Sequence, residues 1–127
     1  MLQPRNTYSS FAVRDIDAAA TFYRDTLGAE TRKVMNGSVL DLKLPGSGTH
    51  VEAYQKDDHQ PAVFTILNFE VPDVDKAVDE LTAKGVKMAH FDGFNQDAKG
   101  IARGGEGPTI AWFRDPSGNI LAVHSAM

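Results

Sequence analysis

Two stretches of the chain change their hydrophobic rhythm in the same way. Phe11 to Tyr23 (FAVRDIDAAATFY) opens with alternating apolar and polar positions and passes, after Asp15, to apolar residues three and four apart. Phe69 to Leu81 (FEVPDVDKAVDEL) does the same after Asp73. A period of two marks a strand and one between three and four marks a helix, so each stretch predicts a strand running into a helix. Phe11, Val13, Asp15, Asp17 and Ala19 recur as Phe69, Val71, Asp73, Asp75 and Ala77, so the chain reads as one unit used twice.

In chain order, Tyr8 to Val13 reads as a strand, and Asp15 stands where a carboxylate can cap the first amides of a helix. The helix runs to about Leu27, with Ile16, Ala19, Ala20, Tyr23 and Leu27 as its stripe and Gly28 just past its end. Asn36-Gly37 predicts a two-residue hairpin turn between strands near Thr31 to Met35 and Val39 to Leu44. Pro45 to Gly48 turns the chain into a strand from His50 to Gln55, and the polar run Lys56 to Pro61 (KDDHQP) reads as a linker. The second half repeats the scheme. Val63 to Val71 is a strand, Asp73 caps a helix striped by Val74, Ala77, Val78 and Leu81, Gly85 ends it, and Val86 to His90 is the next strand. Phe91 to Pro108 holds five glycines and no steady alternation, which predicts a long loop. Strands resume at Ile110 to Arg114 and Ile120 to His124 around the turn Asp115 to Asn119. The division is thus a module at about 5–56, a linker at 57–61 and a module at about 62–127, within one domain.

Length supports that economy: 127 residues make one domain-sized core, which two half-size modules must share. With no cysteine, disulfides, thiolate metal sites and cysteine nucleophiles are excluded. MLQPRNTY lacks the features of a signal peptide and no apolar run approaches a membrane span, so the expected location is cytoplasmic. A formal charge of -4 with mixed signs argues against nucleic acid as partner and for neutral or cationic ligands, and with no apolar span no membrane partner is expected.

VRDIDAAATFYRDTLGA, FEVPDVDKAVDEL and FRDPSGNILAV together resemble the vicinal oxygen chelate superfamily of glyoxalases, bleomycin resistance proteins and extradiol dioxygenases. The resemblance implies an α+β fold in which two βαβββ modules form a cupped eight-stranded mixed sheet with the helices on its outer face. It also implies a small organic molecule as ligand and a homodimer. It leaves the chemistry open, because this one scaffold hosts lyases, oxygenases and plain binders.

Alternation separates the two faces of the strands independently of the resemblance. Phe11 and Val13, Val51 and Ala53, Phe69 and Val71, and Leu121 and Val123 form an apolar set suited to packing under helices. The opposite set is mixed. It contains Tyr8 and Ser10, then His50, Glu52 and Tyr54, then Ile66 and Asn68, then Ile120, Ala122 and His124, and Trp112 joins it. From this set Tyr8, His50, Glu52, Tyr54, Asn68, Trp112 and His124 are the candidate ligand-binding residues. Glu52 is the candidate general base, against the alternative of a hydrogen-bonded carboxylate with no catalytic part.

In metal-using members, the resemblance puts ligands on the first and last strand of each module. Here those positions are Tyr8, Glu52, Ile66 and Ala122, of which Glu52 alone is an ordinary metal ligand. The expectation is therefore no metal and no cofactor. A displaced divalent site of His50, Glu52 and His124 is the alternative, weighed against histidines that are only hydrogen-bonded or solvated. Three readings follow: metal-independent binding of a small organic molecule; an enzyme, either a divalent-metal lyase, isomerase or dioxygenase, or one in which Glu52 moves a proton without metal; and a protein whose sheet face is filled by its own side chains. Phe91 and Phe94, beside the glycines of the long loop, are candidates for a lid.

Overall fold

The computed structural model describes residues 1–127, in two units, Met1–Gln60 and Pro61–Met127. In the first, β1 (Ser9–Val13) leads into α1 (Ile16–Thr21), and β2 (Glu30–Val34), β3 (Val39–Lys43) and β4 (His50–Gln55) follow. In the second, β5 (Thr65–Glu70) leads into α2 (Val74–Ala83), followed by β6 (Ile101–Ala102), β7 (Ile110–Arg114) and β8 (Ile120–His124). The sheet orders are β1-β4-β3-β2 and β5-β8-β7-β6, the same path traced twice. In each unit the first strand runs parallel to the last and the other pairs are antiparallel. Each is the βαβββ module that the repeat predicts.

Local chemistry explains why both strands turn into helices where they do. The Asp15 carboxylate accepts hydrogen bonds from the Asp17 and Ala18 amides at 2.9 and 3.2 Å, and Asp73 accepts one from Lys76 at 3.0 Å. These amides have no partner inside the helix, so each aspartate starts its helix by satisfying them. Beyond Thr21 the first helix widens into a turn at Phe22–Thr26, where the Leu27 amide reaches back to the Phe22 carbonyl. Ile16, Ala19, Ala20 and Tyr23 are buried, and Phe11 of β1 meets the Tyr23 ring at 5.7 Å. The apolar face of the first sheet therefore lies under α1, with Leu40, Leu42, Val51 and Ala53 completing that core. In the second unit Val74, Val78 and Leu81 pack with Phe113, Leu121 and Val123.

Three segments depart from the pattern. The β2–β3 hairpin has a four-residue loop, Met35 to Ser38, rather than a two-residue turn at Asn36-Gly37, because the last paired residues are Val34 and Val39. Met35, Asn36 and Gly37 all take positive φ (50, 57 and 84°), and the Ser38 hydroxyl and amide close the loop on the Met35 carbonyl. Val86 to His90 forms no strand. Its one ladder contact is a bridge from Ala89 to Trp112, and the strand beside β7 is β6, inside the stretch read as loop. Finally, β5 bulges between Thr65 and Leu67, so Thr65 pairs with Ile120 while Leu67 pairs with Leu121. Ile66 is the extra residue of that bulge and falls outside the alternation that carries Asn68.

The turn before β8 is fixed by Asp115. Its buried carboxylate accepts from the Ser117 and Asn119 amides at 2.9 and 3.0 Å and from the Asn119 side chain at 3.0 Å. Gly118 between them has φ +85°, and a Cβ there would stand 3.3 Å from Pro61. Both facts call for glycine at that point. No helix is long and apolar enough to cross a membrane.

Candidate functional site

Each sheet has a face turned away from its helix, and the two differ in kind. In the first unit, neighbouring positions across β1, β4, β3 and β2 form the row Ser10, Glu52, Asp41 and Arg32. His50 and Lys43 pair in the next row. The His50 Nδ1–H donates to both oxygens of Asp41 at 3.1 Å each. A carboxylate only accepts, so this contact puts a proton on Nδ1 and turns Nε2 away from Asp41. Glu52 is half-buried beside this pair, and Tyr54, 39% exposed, stands between Ala12 and Val39. Tyr8 precedes β1 and is 52% exposed.

In the second unit, the matching row is Asn68, Ala122 and Trp112, continued by the bridge to Ala89. Ala122 is fully buried, Trp112 retains 8% exposure, and Asn68 is open to solvent. Ile120 and His124 on the same face are buried too, so β8 is covered on both sides. Over Trp112, Ile120 and Ala122 the cover includes Ala89 and Phe91 of the segment after α2. Phe91 meets Trp112 edge-on at 5.8 Å, and Phe94 lies tilted on it at 4.7 Å while leaving 54% of its own surface exposed. The Arg114 guanidinium sits 5.2 Å over the Phe91 ring. His124 donates from Nδ1 to the Ser125 carbonyl at 2.6 Å.

The stretch read as an unpatterned loop is internally tied. The Gln96 side-chain amide donates to the Ala89 and Gly100 carbonyls at 2.9 and 2.8 Å and accepts from the Phe91 amide at 2.8 Å. Asp97 accepts from the Lys99 and Ile101 amides, and Arg103 spans Asp97 and Asp75 of α2 at 2.9 and 3.0 Å. These hydrogen bonds from Arg103 hold the Asp75 and Asp97 carboxyls below the usual carboxylate range. Phe91 and Phe94 are therefore carried on a fastened frame.

Of the four positions implied for a metal, Ile66 and Ala122 supply no donor atom, and Ala122 lies fully buried beside Trp112. That donor set does not fit a divalent ion. His50 has its Nδ1 engaged by Asp41, and no group of three or more His, Cys, Asp or Glu side chains is arranged to hold a metal. A separate surface groove of about 650 Å³ lies at the C-terminal end of α2, lined by residues that include Thr82, Val86, Met88 and His90. None of the candidate residues lines it, and Lys99 on its rim is tied to Asp79 at 2.7 Å.

Asp41, Phe91, Phe94 and Arg114 join the site-facing surfaces without having been singled out as ligand contacts by alternation. For Asp41 the signal was present, since it interrupts Leu40 and Leu42 with period two on a strand bounded by turns.

Paired βαβββ modules with helices on one face of each sheet define a class of scaffold used for small-molecule chemistry and binding. The sequence matches the Glyoxalase/Bleomycin resistance protein/Dioxygenase superfamily over residues 7–123, and the chain belongs to that superfamily. No curated protein matches the sequence. Among solved structures, a member of the superfamily from Sphaerobacter thermophilus is 24% identical, with 95% of this chain and 98% of that one covered and a TM-score of 0.70. A mutant of the fosfomycin resistance protein FosX from Listeria monocytogenes, complexed with Mn(II) and 1S,2S-dihydroxypropylphosphonic acid, is 14% identical (100% and 93% covered, TM-score 0.72). The antibiotic binding protein TnmS3 from Streptomyces sp. CB03234 is 20% identical (99% and 100% covered, TM-score 0.69). At these identities the likeness is one of fold.

Proposed function

We propose that the protein binds a small organic molecule without a metal ion, and that a flat part of this molecule stacks at Phe94 and Trp112. The observation that carries this reading is the Phe94 ring, 4.7 Å from Trp112 yet more than half exposed, while Trp112, Ile120 and Ala122 beneath are buried. An aromatic surface held open by a tied frame offers stacking at little ordering cost. The absence of donor atoms at Ile66 and Ala122 supports metal independence, and the shared fold of TnmS3, an antibiotic binding protein, supports binding as a use of this scaffold. Pairing of two copies belongs to the same reading and is checked by sedimentation of the full chain.

A second reading has its own support. His50, held by Asp41 through Nδ1, stands next to Glu52, and this arrangement suits proton transfer to and from a bound substrate. In that case Glu52 or His50 acts as base, and no metal is required.

Trp112 is the only tryptophan, so its emission reports on the proposed site directly. Titration with the neutral probe N-phenyl-1-naphthylamine is expected to quench that emission saturably, equally with and without EDTA. Absence of quenching sinks the binding reading, and quenching that requires added Mn(II) sinks its metal independence.

A further inference from the structure

Resting on that reading, we propose that the ligand stacked at Trp112 and Phe94 is a flat organic anion carrying one acidic group, and that Arg114 holds this group. Arg114 stands two residues from Trp112 on β7, so the two share the face away from α2. The guanidinium over Phe91, Phe91 against Trp112 and Trp112 against Phe94 form one continuous run of contacts, at 5.2, 5.8 and 4.7 Å. Along the strand the Arg114 backbone lies roughly 7 Å from that of Trp112, so a ring set against Trp112 has the arginine as its neighbour on the same face.

The charge of Arg114 is not consumed within the protein. Arg24 and Arg103 are paired with carboxylates, whereas Arg114 is exposed and pairs with none. The adjacent Asp115 is turned to the Ser117 and Asn119 amides, and the neighbouring positions on β8 and β5 are Ile120 and Thr65. Stacking on Phe91 steadies the guanidinium plane and leaves its edge, where the donors lie, for an acceptor. A planar fork of this kind matches a carboxylate or sulfonate, and a lone arginine suits one such group rather than a polyphosphate. The net charge of -4 therefore does not forbid an anion at this place.

The test is calorimetric titration of the full chain with three probes on one ring system: 1-naphthoate, 1-naphthalenemethanol and 1-naphthylmethylammonium. Naphthoate is expected to bind about tenfold tighter than the alcohol, a charge-assisted hydrogen bond's worth, and the ammonium most weakly. Arg114→Ala should bring naphthoate to the level of the alcohol measured on the same variant. Arg114→Gln repeats the comparison with much of the side chain retained, and Arg114→Lys keeps part of the preference because a point charge cannot fork. Equal binding of naphthoate and alcohol by the unaltered protein, or a preference that survives Arg114→Ala, overturns the anion assignment while stacking stands. Failure of all three probes to bind overturns both.

Discussion

Glu52 and Ala122 occupy the same place in two copies of one module, as do Asp41 and Trp112, yet one pair is ionic and the other apolar. The framework is common to both: the same strand order, the same aspartate cap and the same helix-side core of alternating residues. The side chains diverge most on the opposite face. In the first unit that face is left to solvent and polar contacts, whereas in the second it is roofed by Phe91 and Phe94. The lesson is that a βαβββ module demands apolar residues on only one side of its sheet. The other side is free to take up chemistry, stacking surface or filling.

Exchanging chemistry between equivalent positions should break this comparison most severely. Ala122→Glu puts into the second sheet the residue that the first carries at Glu52. Ala122 is fully buried, so an unpaired carboxylate and excess volume there should lower unfolding free energy by about 3–5 kcal/mol, measured by urea denaturation. Trp112→Ala empties the same row and should cost about 3 kcal/mol, the lower end for a large aromatic because Phe94 can settle into part of the space. Its counterpart Asp41→Ala, on the solvated face, should change stability by less than about 1 kcal/mol. Equal losses at Trp112 and Asp41 would remove the distinction between the faces.

Smaller effects sharpen the picture of the roof. Phe94→Ala should cost about 1 kcal/mol and shift the emission of Trp112 to the red as water reaches the indole; an unchanged spectrum would mean that Phe94 does not cover it. Arg103→Ala should raise hydrogen exchange between 91 and 103 without altering β7 and β8. The same clasp sets a pH dependence. Because Arg103 lowers the folded-state pKa of Asp75 and Asp97, protonation favours the unfolded chain at these groups. Their contribution should be complete above the ordinary carboxylate range, near pH 4, and be lost as pH falls through their lowered values. Arg103→Ala should flatten that part of the acid-stability curve, and an identical curve would exclude the clasp as its source.

How far the sequence could be read depended on periodicity. The caps at Asp15 and Asp73, both helix stripes and the division of β4 into Val51 and Ala53 against His50, Glu52 and Tyr54 were legible because each repeats a pattern over several residues. β6 was not, since a two-residue strand has no period, and Val86 to His90 looked like a strand while making a single bridge. The bulge at Ile66 was hidden because one inserted residue leaves hydrophobicity unchanged and shifts only the register. At the candidate site, Trp112 could be assigned a face from β7. Its contacts with Phe91, Phe94 and Arg114 could not, because they arise from a segment whose course is set by the side chains of Gln96, Asp97 and Arg103.

Gln96 has a consequence for how such a protein can diversify. Its one carboxamide serves the Phe91 amide and the Ala89 and Gly100 carbonyls, a task that a neighbouring strand would ordinarily perform. This amide links Ala89 and Phe91 to Gly100, so Asp92 to Asn95 lie between fastened ends and outside sheet pairing. Substitutions from Asp92 to Asn95 therefore fall outside the eight strands of the framework.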